Sequence, residues 1–197
     1  MRNRMEVFLI GCVGLLLVVA FMACGSSATH RTGRVTMSAN AESMMGLAPQ
    51  PVRQPDEMLS VGQIAPAFSA TDQAGNPVSL SQFRGKKNVV LVFYPGDDTP
   101  GCTKQLCAVR DDFIQFQQKD VAVFGVNPQN AESHERFVQK YDFPFPLLVD
   151  QDKDMIMKYG AKGKAWTQRT VYGIDKQGVI VFAERGMPST ETILAVF

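Results

Sequence analysis

Pro95-Gly96-Asp97-Asp98-Thr99-Pro100-Gly101-Cys102-Thr103-Lys104-Gln105-Leu106-Cys107 is the stretch on which the fold turns. Ahead of it runs Val89-Val90-Leu91-Val92-Phe93, an unbroken apolar segment of strand length, as expected of a strand covered on both faces. Behind it, Leu106, Val109, Phe113 and Phe116 recur at helical spacing. Thr99 stands where an N-cap belongs and Pro100 at the first helical position, where its missing N–H costs nothing. Cys102 therefore falls in the first turn of a helix. A thiol there meets unpaired backbone N–H groups and the positive end of the helix dipole, which favour thiolate. A free cysteine is otherwise most often an inert buried residue. The second cysteine five residues on, the Pro-Gly turn and the capping threonine argue for chemistry instead.

Helix geometry separates the two thiols. At 100° per residue, Cys102 shares a face with Leu106, Val109 and Phe113, while Cys107 lies about 140° round, on the flank with Arg110 and Asp111. Cys102 is expected to face the core and Cys107 to lean outward.

Pro95-x-x-x-Thr99-x-x-Cys102 resembles the active-site signature of the peroxiredoxins, and Cys-x4-Cys on one helix resembles their bacterioferritin comigratory protein, or peroxiredoxin Q, group. The likeness runs from about Val61 to near the C-terminus. It implies that Cys102 is the peroxidatic cysteine, Cys107 the resolving one, Thr99 a hydroxyl that orders the peroxide, and Arg169 of Gln168-Arg169-Thr170-Val171-Tyr172 the cation beside the thiolate. It implies a thiol peroxidase with no cofactor and no metal, acting on hydrogen peroxide and organic hydroperoxides. Recycling by thioredoxin or a similar dithiol is implied as well, with a monomer or weak dimer as the assembly. Cys107 is the last cysteine in the chain, so a one-cysteine enzyme resolved by an outside thiol stays open.

Around this stretch the chain alternates. A hairpin about Gly75-Asn76 is expected first, then strand 88–94, helix 100–118, strand 121–126, helix 131–141, strand 147–149 and a short helix over 152–159. Helices between buried strands mean crossovers and mostly parallel pairing. Segments 170–174 and 179–183 are joined by Asp175-Lys176-Gln177-Gly178, too short for a crossover, so they form an antiparallel hairpin. The expected fold class is α/β, a mixed sheet flanked by helices with one antiparallel edge, as in a thioredoxin-like fold.

With 197 residues, 45% of them hydrophobic, there is material for one domain with a real core. A net charge of +1 without a long basic block points away from nucleic acid. Residues 1–24 differ in kind: Arg2 and Arg4 precede Val7 to Ala23, which carry no charge, and Cys24-Gly25-Ser26 follows. This reads as a signal or anchor segment, and Phe21-Met22-Ala23-Cys24 resembles a bacterial lipobox that would tether the protein by a lipidated Cys24 to the outer face of a membrane. An uncleaved span, or a start at Met37 giving a cytoplasmic protein, stays open. Residues 25–60, rich in small and polar residues without a period, read as a flexible linker, and 61–197 as the catalytic domain.

The remaining polar residues are read as follows. Asp97 and Asp98 are expected to point to solvent and shape the turn, because carboxylates would oppose a thiolate. His30 and His134 read as solvated, Trp166 as a packing residue ahead of the alternative that it lines the pocket mouth, and Arg185 as second to Arg169. Two rivals share the fold. A thioredoxin-type disulfide oxidoreductase needs Cys-x-x-Cys and a proline between Pro146 and Pro188, neither of which is present. A copper-delivery protein needs a histidine beyond His134 as a soft-site partner to the thiolates, and none follows.

Overall fold

The computed structural model describes Gln54 and residues 56–197. The readings for 1–24, and for most of the linker, lie outside the described residues.

The elements are β1 (Ser69–Asp72), β2 (Pro77–Ser79), β3 (Asn88–Phe93), α1 (Pro100–Asp111), α2 (Phe113–Gln118), β4 (Val121–Asn127), α3 (Ala131–Tyr141), β5 (Leu147–Val149), α4 (Asp154–Lys158), β6 (Thr170–Ile174), β7 (Ile180–Arg185) and α5 (Thr190–Leu194). They build one seven-stranded sheet in the order β2-β1-β5-β4-β3-β6-β7. β3 pairs with β4 and β4 with β5 in parallel, whereas β6 runs antiparallel to both β3 and β7. The hairpin β1–β2 adds to the far side through an antiparallel β1–β5 pair. Both edges of the sheet are therefore antiparallel, where the sequence reading expects one.

β3 is apolar throughout because both its faces are buried. Val89, Leu91 and Phe93 enter a cluster with Phe124, Tyr159 and Tyr172, while Val90 and Val92 enter the opposite one with Cys102, Leu106, Val109 and Phe116. The second cluster is where α1 lies on the sheet, so the face of α1 that carries Cys102 is its packing face.

Beyond shifts of one or two residues at the ends of β3, β4, β7 and α4, two boundaries differ from the reading. The helix expected over 100–118 breaks at Asp112, whose φ of −98° and ψ of 10° leave the helical region. Its carboxylate accepts bonds from Gln115 Nε2 and Thr190 Oγ1. The fold also begins ahead of Val61. Leu59 is buried and its N–H donates to Tyr172 Oη at 3.1 Å, and Arg185 Nη2 holds the Asp56 carbonyl at 2.8 Å. Among the described residues, no helix is long and apolar enough to cross a membrane.

Candidate active site

Parallel β3 and β4 end on the same side of the sheet, so the loop after β3 and the one after β4 must be neighbours. In such sheets the carboxyl ends of the strands collect the sites. The loop after β3 is the quoted stretch. Thr99 has the extended backbone of an N-cap and Pro100 opens α1, which sets Cys102 at the third helical position, fully buried.

Arg169, half-buried at the residue before β6, reaches across from the strand next to β3. Its Nη2 donates to Cys102 Sγ at 3.3 Å and its Nη1 to Gln105 Oε1 at 2.6 Å. Gln105, one turn along α1 and itself buried, thus fixes the plane of the guanidinium. Gly101 makes room: a Cβ there would lie 3.2 Å from Arg169 Nη2. Cys107 is partly buried at the flank of the same helix, and both thiols are free. Thr99 places its hydroxyl on the Gly96 carbonyl at 3.3 Å instead of capping the helix. Pro95 lines a surface cleft with Pro128, Trp166 and Thr167.

Arg185 is not a second partner of Cys102. It donates to Thr170 Oγ1 at 2.7 Å and to the Gly160 and Asp56 carbonyls at 2.8 Å each. Trp166, expected to pack, is 72% exposed.

Asp97 and His134 overturn their readings. The Asp97 side chain is 3% exposed and His134 is fully buried, 2.8 Å from Asp97 Oδ2 through Nδ1. Burial alone would raise the Asp97 carboxyl, but bonds from His134, Ser133 and Tyr94 outweigh it and hold the group below the usual carboxylate range. Burial first, and then the Asp97 charge, pushes the Tyr94 hydroxyl well above its ordinary value. Asp98 stays at the surface, yet not free: Lys140 Nζ donates to its two oxygens at 2.8 and 2.7 Å, and Tyr141 Oη donates to Oδ1 at 2.8 Å. These bonds, Lys140 foremost, lower its carboxyl as well. The sequence did hold a signal for His134. It lies in the first turns of the helix that follows β4, hence beside the loop that follows β3.

The arrangement presents one buried sulfur to a cation at a helix N-terminus, with a second thiol on the same helix. That is a site for nucleophilic sulfur chemistry.

Comparisons with known proteins give the family. The AhpC/TSA family model matches residues 61–183. The chloroplastic peroxiredoxin Q of Sedum lineare is 43% identical over 122 residues, a match covering 60% of this chain and 65% of that protein. That of Triticum aestivum is 39% identical over 149 residues, covering 71% and 68%. Among solved structures, peroxidoxin BcpB from Mycobacterium tuberculosis superposes with a TM-score of 0.66 at 28% identity, over 71% of this chain and 96% of that one. Xylella fastidiosa PrxQ does so with a TM-score of 0.66 at 26% identity, over 71% and 95%. A family match over most of the folded part, on a thioredoxin-like sheet that brings Arg169 to Cys102, leads to one conclusion: the chain belongs to the AhpC/TSA family.

Proposed function

We propose that the protein is a thiol peroxidase that reduces hydrogen peroxide and organic hydroperoxides. The observation that carries this reading is the Arg169 guanidinium 3.3 Å from the sulfur of Cys102 in the first turn of α1. The Cys102 thiolate attacks the terminal peroxide oxygen. The O–O bond breaks, the alkoxide or hydroxide leaves and takes a proton, and sulfur becomes a sulfenic acid. The guanidinium faces both the thiolate and the negative charge that grows on the peroxide. Cys107 then attacks the sulfenic sulfur, expelling water and closing a disulfide, and an external dithiol such as thioredoxin returns both thiols by exchange.

Paired variants test this. Cys102→Ser is expected to abolish peroxide reduction, while Cys107→Ser consumes one equivalent and stops as the sulfenic acid, which mass spectrometry of the intact chain reads. Thioredoxin-coupled turnover surviving in Cys102→Ser would assign the nucleophile elsewhere.

For the N-terminus the proposal is that Cys24 is lipidated after cleavage behind Ala23, holding the domain by residues 25–53 at the outer face of a membrane. Its support is the charge-free Val7–Ala23 segment between Arg4 and Cys24. Radiolabelled palmitate is expected in the wild type and absent from Cys24→Ala. A mature protein that starts at Met37 overturns it.

A further inference from the structure

The loop between β3 and α1 carries Pro95 and Thr99, and it is bonded far more heavily than a six-residue connection requires. Asp97 accepts four side-chain hydrogen bonds. Oδ1 takes Tyr94 Oη at 2.7 Å and Asn127 Nδ2 at 2.8 Å, and Oδ2 takes Ser133 Oγ at 2.7 Å and His134 Nδ1 at 2.8 Å. These donors come from the end of β3, the end of β4 and the start of α3. His134 continues the chain of contacts through Nε2, which faces the Leu148 carbonyl of β5 at 3.3 Å. Gln129 closes the arrangement: its Oε1 accepts the Asp97 N–H and its Nε2 donates to Ser133 Oγ at 3.1 Å. Gly96 permits that approach, because a Cβ there would lie 3.0 Å from Gln129 Oε1.

The next residue points the other way. Asp98 has φ of +53°, uncommon for a residue with a side chain, so two successive carboxylates diverge. Asp97 goes to the N-terminal turn of α3 and Asp98 to Lys140 and Tyr141 at its C-terminal end. One helix thus grips the loop at both of its ends. None of these partners bonds Cys102 or Arg169, which are held from β6 and α1.

We infer that α3 is a splint for the active-site loop and that Asp97, through Ser133 and His134, is the positioning residue by which it fixes the loop that carries Pro95 and Thr99 ahead of Cys102. The inference rests on the peroxidase reading. A buried ionised carboxylate persists only when its lone pairs are met, so Asp97 holds its place only while the donors of α3 and β4 hold theirs. Its action is on where the peroxide is held, whereas the reactivity of the sulfur belongs to Arg169.

That division gives the test. Reduced full-length protein is mixed with hydrogen peroxide in single turnover, and Cys102 alkylation by iodoacetamide is measured in parallel. Asp97→Asn is expected to slow the peroxide step by about tenfold to a hundredfold, the range in which an ångström of misplacement falls, with alkylation within about twofold of wild type. His134→Asn keeps a donor where Nδ1 stands and is expected to retain most of the peroxide rate, while His134→Leu behaves like Asp97→Asn. Ser133→Ala, which removes one donor of four, serves should Asp97→Asn fail to fold, and is expected to slow peroxide but not alkylation. An unchanged peroxide rate in Asp97→Asn, or in Ser133→Ala where Asp97→Asn does not fold, or peroxide and alkylation rates that fall together, overturns the inference. A wild type that does not consume peroxide overturns the peroxidase reading instead.

Discussion

Two arginines sit one strand apart at the same end of the sheet, yet their roles divide completely. Arg169 spends both terminal nitrogens on α1, one on Cys102 and one on Gln105, while Arg185 ties Thr170 to the backbone at Gly160 and Asp56. Hydrogen bonds to charged groups contribute about 1.5–3 kcal/mol, and about 1.4 kcal/mol is tenfold in rate. Arg169→Gln is therefore expected to slow both the peroxide step and iodoacetamide alkylation of Cys102 by about tenfold to a hundredfold at neutral pH. Arg185→Gln is expected to leave both within about twofold, because its bonds hold the Asp56 segment rather than the sulfur. Equal effects from the two substitutions, read by stopped flow, would contradict this placement. The place of Cys102 in the first turn of a helix was legible locally, from the threonine and proline before it, whereas Arg169 was named only through the family resemblance, since nothing in the 67 positions between them joins it to Cys102. The burial of Asp97 and His134 was not legible, although the place of His134 near the start of the helix after β4 hinted at the loop beside it: Glu132-Ser133-His134-Glu135-Arg136 has the look of a solvated helix, and His134 is buried because its ring meets Asp97, 37 positions away, and the Leu148 carbonyl.

At the scale of the element, α1 carries a contradiction that motion resolves. Residues five apart on an intact helix are displaced about 7.5 Å along its axis, while a disulfide holds Cα atoms about 4.4–6.8 Å apart. Cys102 and Cys107 both lie within α1, so closing their bond requires the helix to unwind. The stretch that would unwind includes Arg110, whose Nη1 donates to the Tyr141 carbonyl at 2.8 Å in the dithiol form. The break at Asp112 limits the damage, since α2 begins its own hydrogen bonds at Phe113 and Asp112 is moored to Gln115 and Thr190. Hydrogen exchange on the reduced and oxidised forms is expected to show lost protection from Thr103 to Asp112, with α2 and β4 unchanged. Unchanged protection across α1, with the Cys102–Cys107 bond present by mass spectrometry, would refute it. The break was invisible in the sequence because Leu106, Val109, Phe113 and Phe116 keep helical spacing across it. Apolar spacing reports the buried face, not the hydrogen bonding behind it.

For the whole molecule, the sense of the β3–β4, β4–β5 and β6–β7 pairs could be read off the chain because loop length decides it: Asp175–Gly178 is too short to cross over, and the connections between β3, β4 and β5 hold helices, whereas the antiparallel β3–β6 pair could not. Where the N-terminal hairpin lands could not be read either. β1 pairs with β5, about 75 residues away, and nothing local in Ser69–Asp72 states a partner that distant. The folded body is thus closed at both sides by antiparallel pairs, with the loop bearing Trp166 left outside it. That tryptophan is the single one in the chain and is 72% exposed. The protein consequently carries its only strong near-ultraviolet emitter in water rather than in its core. Its fluorescence spectrum is expected to shift little when the fold melts in guanidinium, while far-ultraviolet circular dichroism shows the full transition. A large red shift on melting would mean that the indole is shielded in the native protein. Melting followed by tryptophan emission alone would make a cooperative domain look featureless, and the same lamp becomes a clean reporter of anything that comes to rest against the Lys162–Gln168 side of the molecule.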